Sequence, residues 1–109
     1  MNFFSLFKRN LFYKIKKKIL IDSDEVNSET LDKIFHYYGS DKANIFKKTQ
    51  DKGHGYSIFY EKKFKKLKNN NINILEIGSY SGASAAAFAK YFSDSNIFCF
   101  DINISNFKY

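Results

Sequence analysis

The chain has 109 residues, which suits one small domain, and 44% of them are apolar, so a packed core is expected and extensive disorder is not. Six of its 18 basic residues precede the first acidic residue, Asp22, and the other 12 nearly balance the 11 acidic residues, so almost all of the net charge of +7 comes from the N-terminal segment. This distribution argues against a nucleic-acid-binding domain, whose basic residues would lie on the folded surface.

Residues 1–24 are a basic segment with apolar side chains at helical spacing. The apolar positions are Phe4, Leu11, Phe12, Ile15 and Ile19. Two interpretations stay open for residues 2–20: a basic amphipathic helix in weak contact with an anionic membrane surface, and a leader helix that packs on its own domain or a partner. The segment has no apolar run long enough for a signal peptide or a membrane span. Cys99 is the only cysteine, which allows no internal disulfide, and we expect a cytoplasmic protein.

Residues 25–71 are predicted to be a helical lead-in. Its first helix has an apolar stripe formed by Leu31, Ile34, Phe35 and Tyr38. Gly39 is predicted to end this helix, and Asn27 or Ser28 to be its N-cap. Residues 40–55, SDKANIFKKTQDKGHG, have no sustained period and are predicted to be a loop.

A second amphipathic helix is predicted after that loop, ending at Asn69-Asn70-Asn71. Its apolar side consists of Tyr56, Phe59, Tyr60, Phe64 and Leu67. Its other side consists largely of Lys62, Lys63, Lys65, Lys66 and Lys68. This pattern predicts that the aromatic side is buried and the lysine side is in water.

Residues 72–109 have the pattern of an α/β fold. Ile72 to Ile77 is a short, mostly apolar, β-branched run typical of a buried parallel strand. An Ala-rich helix is predicted from Ser81 or Gly82 to Phe92, and a second buried strand from Asn96 to Ile102. A strand, a turn, a helix and a strand within about 30 residues form one βαβ unit.

The turn EIGSYSGAS, Glu76 to Ser84, is the candidate cofactor loop, because ligands of such sheets bind at the carboxyl ends of the strands. A phosphate-binding P-loop starting at Gly78 would need a second glycine followed by lysine, but Ala83 and Ser84 stand there. A dinucleotide-binding loop would need glycine where Tyr80 stands. The loop therefore does not suit either class of phosphate-bearing cofactor.

S-Adenosylmethionine fits this turn better, because it has no phosphate and carries an ammonium and a sulfonium group. The spacing Glu76-x-Gly78-x-x-x-Gly82 places a carboxylate at the end of the first strand. Asp101, 25 residues after Glu76, would accept hydrogen bonds from both ribose hydroxyls. The alternative is a strand–helix turn of some other α/β protein, with Asp101 merely solvated.

The segments ILEIGSYSGAS and FCFDIN resemble motif I and the second-strand acidic motif of class I S-adenosylmethionine-dependent methyltransferases. Residues 38–64, YGSDKANIFKKTQDKGHGYSIFYEKKF, resemble the stretch before motif I in the macrocin- and mycinamicin-type O-methyltransferases. The resemblance covers roughly residues 30–104 and departs from the common G-x-G-x-G form at Tyr80. It implies a transferase with a Rossmann-like domain that binds S-adenosyl-L-methionine and methylates a sugar or glycan-type hydroxyl of a small-molecule or glycan acceptor.

The resemblance also implies roles for single residues around the turn. Glu76 would stabilise the loop or the ammonium group of the cofactor, and Asp101 would hold the ribose. Ser81 and Ser84 would offer hydroxyls to the methionine carboxylate at the helix N-terminus. The implied cofactor-binding residues of the loop are completed by Gly78, Ser79, Tyr80 and Gly82.

The lead-in would cover the cofactor pocket with Ser40, Asp41, Lys42, His54 and Tyr56. For Asp41 and Lys42 the alternative is a surface ion pair of little energetic value. For His54 the alternative is a loop position without a role, and for Tyr56 a position in the buried stripe of its helix.

In such enzymes the catalytic base, the acceptor-binding residues and any metal ligands follow the second strand, so the resemblance assigns no catalytic or metal-binding residue here. We therefore predict an N-terminal fragment: helices, then the first βαβ unit of an incomplete Rossmann-like fold, inactive by itself. The alternative function is non-enzymatic, that of a small interaction or membrane-peripheral protein that uses the basic segment 2–20.

Overall fold

A computed structural model describes residues 20–26 and 30–109, so the interpretations of the basic segment 2–20 rest on residues 2–19, which lie outside the described residues. The described residues form α1 (Leu31–Tyr38), α2 (Tyr56–Phe64), β1 (Ile72–Ile77), α3 (Ala83–Tyr91) and β2 (Ser95–Phe100). Short 3-10 turns lie at Ile21–Ser23, Lys65–Leu67 and Ile104–Asn106. The mixed α/β class with one βαβ unit is confirmed. Over the described ranges, no helix has the length and apolar character needed to cross a membrane.

Helix α1 follows the predicted apolar stripe but begins later than predicted. Thr30 is the N-cap, and its hydroxyl accepts a hydrogen bond from the Lys33 N–H at 3.4 Å. The prediction of Asn27 or Ser28 as the cap was wrong, because a capping side chain must stand directly before the first helical residue to reach an N–H of the first turn. Gly39 ends the helix with a φ of 76°, as predicted. All four stripe residues are buried.

Helix α2 does not bury the aromatic side that its spacing predicts. Tyr56, Phe59 and Phe64 are exposed, whereas Ser57 is fully buried. The Ser57 hydroxyl donates to Asp32 Oδ1 at 2.6 Å, and a Glu61 carboxylate oxygen accepts from the Leu31 N–H at 2.9 Å. These polar contacts with the start of α1 decide which side of α2 faces inward, so the predicted burial of the stripe is wrong for its three exposed aromatic residues.

Strands β1 and β2 pair in parallel, with Ile72 opposite Ser95 and Ile77 opposite Phe100. The side chains that face the helices are those of Ile72, Ile74 and Ile97. The opposite face of the sheet exposes Leu75, Ile77, Phe98 and Phe100. Within the described part of the chain nothing covers that face, so the predicted burial of the strands is correct on one face only.

The core lies between α1, α3 and the covered face of the sheet, and the Phe35 and Phe88 rings meet edge to face with centroids 5.3 Å apart. At one side of this core the Tyr109 hydroxyl donates to the Tyr38 carbonyl at 3.0 Å. The Tyr38 hydroxyl donates to Asp24 Oδ2 at 2.8 Å. Burial, assisted by the negative charge of Asp24, raises the pKa of Tyr109 from 10.0 to about 12. The pKa of Tyr38 is raised as well, by burial and by its bond to Asp24.

We expect alkaline pH to destabilise the chain through Tyr109. Because its folded-state pKa is the higher one, its contribution to stability is complete below pH 10.0 and is lost as the pH rises toward about 12. The urea midpoint of unfolding, followed across this range, should fall less steeply in Tyr109→Phe than in the original chain, since phenylalanine does not titrate. Parallel pH profiles for the two chains would contradict this assignment.

Candidate functional site

The turn between β1 and α3 lies at the carboxyl edge of the sheet and contains three residues whose backbone has the left-handed conformation. Gly78 and Gly82 have φ values of 79° and 83°, and Tyr80 has a φ of 48°. The Gly78 and Ser79 N–H groups both donate to the Phe100 carbonyl, at 2.7 and 3.4 Å. The glycines take up positive φ without strain, so the chain turns sharply from β1 into α3 while its start stays bonded to the end of β2.

Asp101 directly follows β2 and is bonded to this turn. Its Oδ2 accepts from the Tyr80 N–H at 2.7 Å, and its Oδ1 accepts from the Asn103 N–H at 3.0 Å. The bond from Asn103, and next the bond from Tyr80, hold the pKa of Asp101 below 3.8. The structure therefore brings an ionised carboxylate from the end of the second strand to the glycine turn that follows the first.

Glu76 lies one residue before the end of β1, on the face that is covered by helices, and is 9% exposed. The Ser84 hydroxyl donates to its Oε1, and Lys42 Nζ lies 3.6 Å from the same oxygen. Lys42 Nζ also donates to Ser84 Oγ at 3.3 Å. Glu76 Oε2 is buried without a hydrogen-bond partner among the described residues. The start of α3, the lead-in loop and β1 thus meet at one buried carboxylate.

A cavity of about 290 Å³ opens between the lead-in loop and the glycine turn. Its walls are formed by Gly39, Ser40, Asp41, Lys42, Phe46, Gly78, Ser79, Tyr80, Ser81, Ala83 and Ser84. Segments that are about 40 residues apart in the sequence therefore form one concave surface, which includes most of the loop residues singled out above. Glu76, Gly82 and Asp101 lie outside this lining. Gly82 stands between two lining residues in the sequence, Glu76 accepts a hydrogen bond from Ser84, and Asp101 accepts one from the Tyr80 N–H. Glu76 itself lines a larger groove along β1.

His54 and Tyr56 do not line the cavity. Their rings stack on each other with centroids 5.2 Å apart, and both side chains are exposed. His54 Nε2 lies 3.5 Å from Asp41 Oδ2, and the His54 N–H donates to the Asp41 carbonyl at 2.7 Å. His54 is therefore joined to the cavity wall through Asp41, although its own side chain does not line the cavity. The side chain of Asp41 contacts His54, and the side chain of Lys42 contacts Glu76. Among the described residues, Asp41 and Lys42 therefore pair with other partners and not with each other.

The segment after β2 supports the turn from outside the cavity. The Phe107 ring occupies the space next to Gly82, where a Cβ atom would lie 2.7 Å from Phe107 Cε2. The Lys108 N–H donates to the Ser81 carbonyl at 3.0 Å. Sequence reasoning missed both contacts, because residues 103–109 contain no periodicity or motif that links them to a turn about 25 positions earlier.

A larger groove of about 800 Å³ runs along the free edge of β1. Its other wall is mainly apolar and includes Tyr60, Phe64, Leu67, Phe88 and Phe92.

In β2, burial raises the pKa of the Cys99 thiol, which does not favour a role as a nucleophile. Across residues 20–26 and 30–109, no three His, Cys, Asp or Glu side chains are grouped to hold a metal ion.

Comparison with known proteins adds no relative on which a function could be based. No family model matches the chain, and neither curated proteins nor solved structures give a significant match. Functional inference therefore depends on the geometry described above and on the motifs that the sequence contains.

Proposed function

We propose that the chain is the cofactor-binding part of an S-adenosylmethionine-dependent O-methyltransferase with a Rossmann-like architecture, acting on a sugar or glycan-type hydroxyl. The observation that carries this proposal is the bond between Asp101 and the Tyr80 N–H, which joins the acidic end of β2 to the glycine turn after Glu76. Acidic groups at the carboxyl ends of two adjacent parallel strands, with a glycine turn between them, suit a cationic nucleoside ligand better than a phosphate ester.

The donors and acceptors around the cavity fit this cofactor. A buried carboxylate oxygen without a partner is costly, and the ammonium group of the cofactor would supply donors to Glu76 Oε2. Both Asp101 oxygens accept a backbone N–H, and a carboxylate oxygen can accept more than one hydrogen bond, as two ribose hydroxyls require. Ser79 and Ser81 are buried at the cavity wall, where their polar groups would lie close to a methionine moiety bound in the cavity.

The charges around the cavity disfavour a polyphosphate. Asp41 and Lys42 are the charged side chains in its lining among the described residues, and their charges cancel. The carboxylates of Glu76 and Asp101 then leave the surroundings negative. A nucleoside with a sulfonium and an amino-acid group matches this balance, whereas ATP or NAD would bring further negative charge.

The reaction proposed for this site is methyl transfer to a hydroxyl, and the bound cofactor supplies the methyl group. The residues described here bind and orient: Asp101 fixes one end of the ligand, and Glu76 fixes the other. Such positioning lowers the barrier by holding reacting groups in line. The acceptor site and the base that removes the hydroxyl proton are not assigned to residues of this chain.

Calorimetric titration of the chain with S-adenosylhomocysteine, ATP and NAD tests the cofactor class. We expect S-adenosylhomocysteine to bind at least about tenfold more tightly than either phosphate-bearing ligand. Equal or tighter binding of ATP or NAD would contradict the proposal, and so would the absence of binding by S-adenosylhomocysteine.

A further inference from the structure

The side chain of Lys42 suits a role in recognising the ligand. It is about three-quarters buried, lines the cavity and reaches the start of α3 from the lead-in loop. Its backbone is fixed as well: the Lys42 N–H donates to Ser40 Oγ at 3.3 Å, and its carbonyl accepts from the Ser57 N–H at 3.3 Å. A lysine held at both backbone and side chain in a cavity wall presents its charge at a defined place, unlike a surface lysine.

The motif resemblance implies that serine hydroxyls bind the carboxylate of the ligand. In the structure, however, the Ser84 hydroxyl already forms hydrogen bonds with two other side chains. It donates its proton to Glu76 and accepts a bond from Lys42. Since a hydroxyl has a single proton to donate, Ser84 has none left for a ligand carboxylate. The ammonium group of Lys42 has three protons, of which the hydrogen bond to Ser84 uses one, and it forms an ion pair with Glu76 Oε1 at 3.6 Å.

We propose that Lys42 binds the carboxylate of an α-amino-acid group in the cavity, with Ser84 and Glu76 as positioning residues that hold its ammonium there. Lys42 and Glu76 then form a pair of opposite charges 3.6 Å apart, which matches the opposite charges of a zwitterionic amino-acid group. The site would select ligands that carry this group in addition to the nucleoside. This inference rests on the proposed function and names the part of the cofactor that Lys42 recognises.

The affinities for two nucleosides, one with the amino-acid group and one without it, distinguish this role of Lys42 from a general role in cofactor binding. S-Adenosylhomocysteine carries the amino-acid group, whereas 5′-methylthioadenosine has the same nucleoside and sulfur without it. In Lys42→Met we expect the affinity for S-adenosylhomocysteine to fall by roughly tenfold or more, because a charge-assisted hydrogen bond is lost. The affinity for 5′-methylthioadenosine should stay within about twofold of the original value.

Further variants are controls for the loss of affinity expected in Lys42→Met. Lys62→Met removes a lysine from the exposed side of α2 and should leave both affinities unchanged. Lys42→Arg keeps the positive charge and should retain most of the affinity for S-adenosylhomocysteine. Because Lys42→Met leaves the buried Glu76 without its cation, Lys42→Met with Glu76→Gln serves if the single variant does not fold. Measured against Glu76→Gln alone, that double variant should bind S-adenosylhomocysteine roughly tenfold or more less tightly and 5′-methylthioadenosine within about twofold, so that the difference is due to Lys42.

The outcomes distinguish this inference from the function on which it rests. Selective loss of S-adenosylhomocysteine binding supports the role of Lys42. Unchanged affinities, or an equal loss for both nucleosides in a folded variant, would overturn that role while leaving the cofactor class intact. Failure of the original chain to bind either nucleoside would overturn the proposed function, and the role of Lys42 with it.

Discussion

Replacing Gly82 by alanine is expected to lower the free energy of unfolding by about 3 kcal/mol, through backbone strain and overpacking together. Gly82 has a φ of 83°, in the region that residues with a Cβ avoid. Its added methyl group would also lie 2.7 Å from Phe107 Cε2 and 2.8 Å from Phe107 Cζ. The Phe107 ring must move to relieve this contact, although in the structure this ring packs against the turn from the C-terminal segment. Urea unfolding followed by circular dichroism measures the effect.

Gly78 provides the matched control within the same turn. Its φ of 79° is nearly the same, but no atom lies within 4 Å of the position that its Cβ would take. Gly78→Ala should therefore cost only the strain of the left-handed backbone, about 1–2 kcal/mol. The excess cost at Gly82 should disappear when Phe107 is also replaced by alanine. If Gly82→Ala and Gly78→Ala cost the same, the contact with Phe107 does not constrain the turn.

Asp101→Asn is expected to weaken binding of S-adenosylhomocysteine by about a hundredfold, because one of the two acceptor oxygens becomes an amide donor and the other loses its negative charge. Each Asp101 oxygen accepts a backbone N–H, from Tyr80 and from Asn103. An asparagine would turn a donor toward one of these N–H groups, so the link between β2 and the glycine turn would be weakened as well. Calorimetric titration of the folded variant measures the loss.

Asp94→Asn is the control for this substitution. Asp94 lies before β2, at the opposite edge of the sheet, and its Oδ1 accepts from Asn71 Nδ2 at 3.1 Å on the surface. Its replacement should leave the affinity unchanged. Should Asp101→Asn bind S-adenosylhomocysteine as tightly as the original chain does, the ribose-binding role of Asp101 would be refuted.

Those parts of the fold that depend on local pattern could be predicted from the sequence. The apolar run Ile72 to Ile77 gave the bounds of β1, and Gly39 marked the end of α1, because a short β-branched run and a glycine C-cap act over a few residues. The second strand begins one residue earlier than predicted and ends at Phe100, which leaves Asp101 just beyond it. The juxtaposition of Asp101 with the turn was predictable because adjacent parallel strands share a carboxyl edge.

The contacts that depend on tertiary structure could not be predicted in this way. Lys42 and Glu76 are 34 residues apart, and no local period indicates that they meet. In α2 and the 3-10 turn that follows it, Tyr60 and Leu67 of the apolar stripe pack against the core, but the three aromatic residues Tyr56, Phe59 and Phe64 face water. The spacing does not separate these two groups, because the orientation of the helix also depends on the hydrogen bonds of Ser57 and Glu61 with the start of α1. The spacing of apolar residues carries no information about such polar contacts.

The uncovered face of the sheet makes the stability of the folded chain depend on its surroundings. The side chains of Leu75, Ile77, Phe98 and Phe100 stand on strands that already hold them in place, so covering them requires little further ordering. An apolar surface that binds this face in the native state, but not in the unfolded chain, shifts the folding equilibrium by mass action. An apolar surface that covers this face would therefore raise the free energy of unfolding as its concentration rises, and it would do so from the side of the sheet away from the helices.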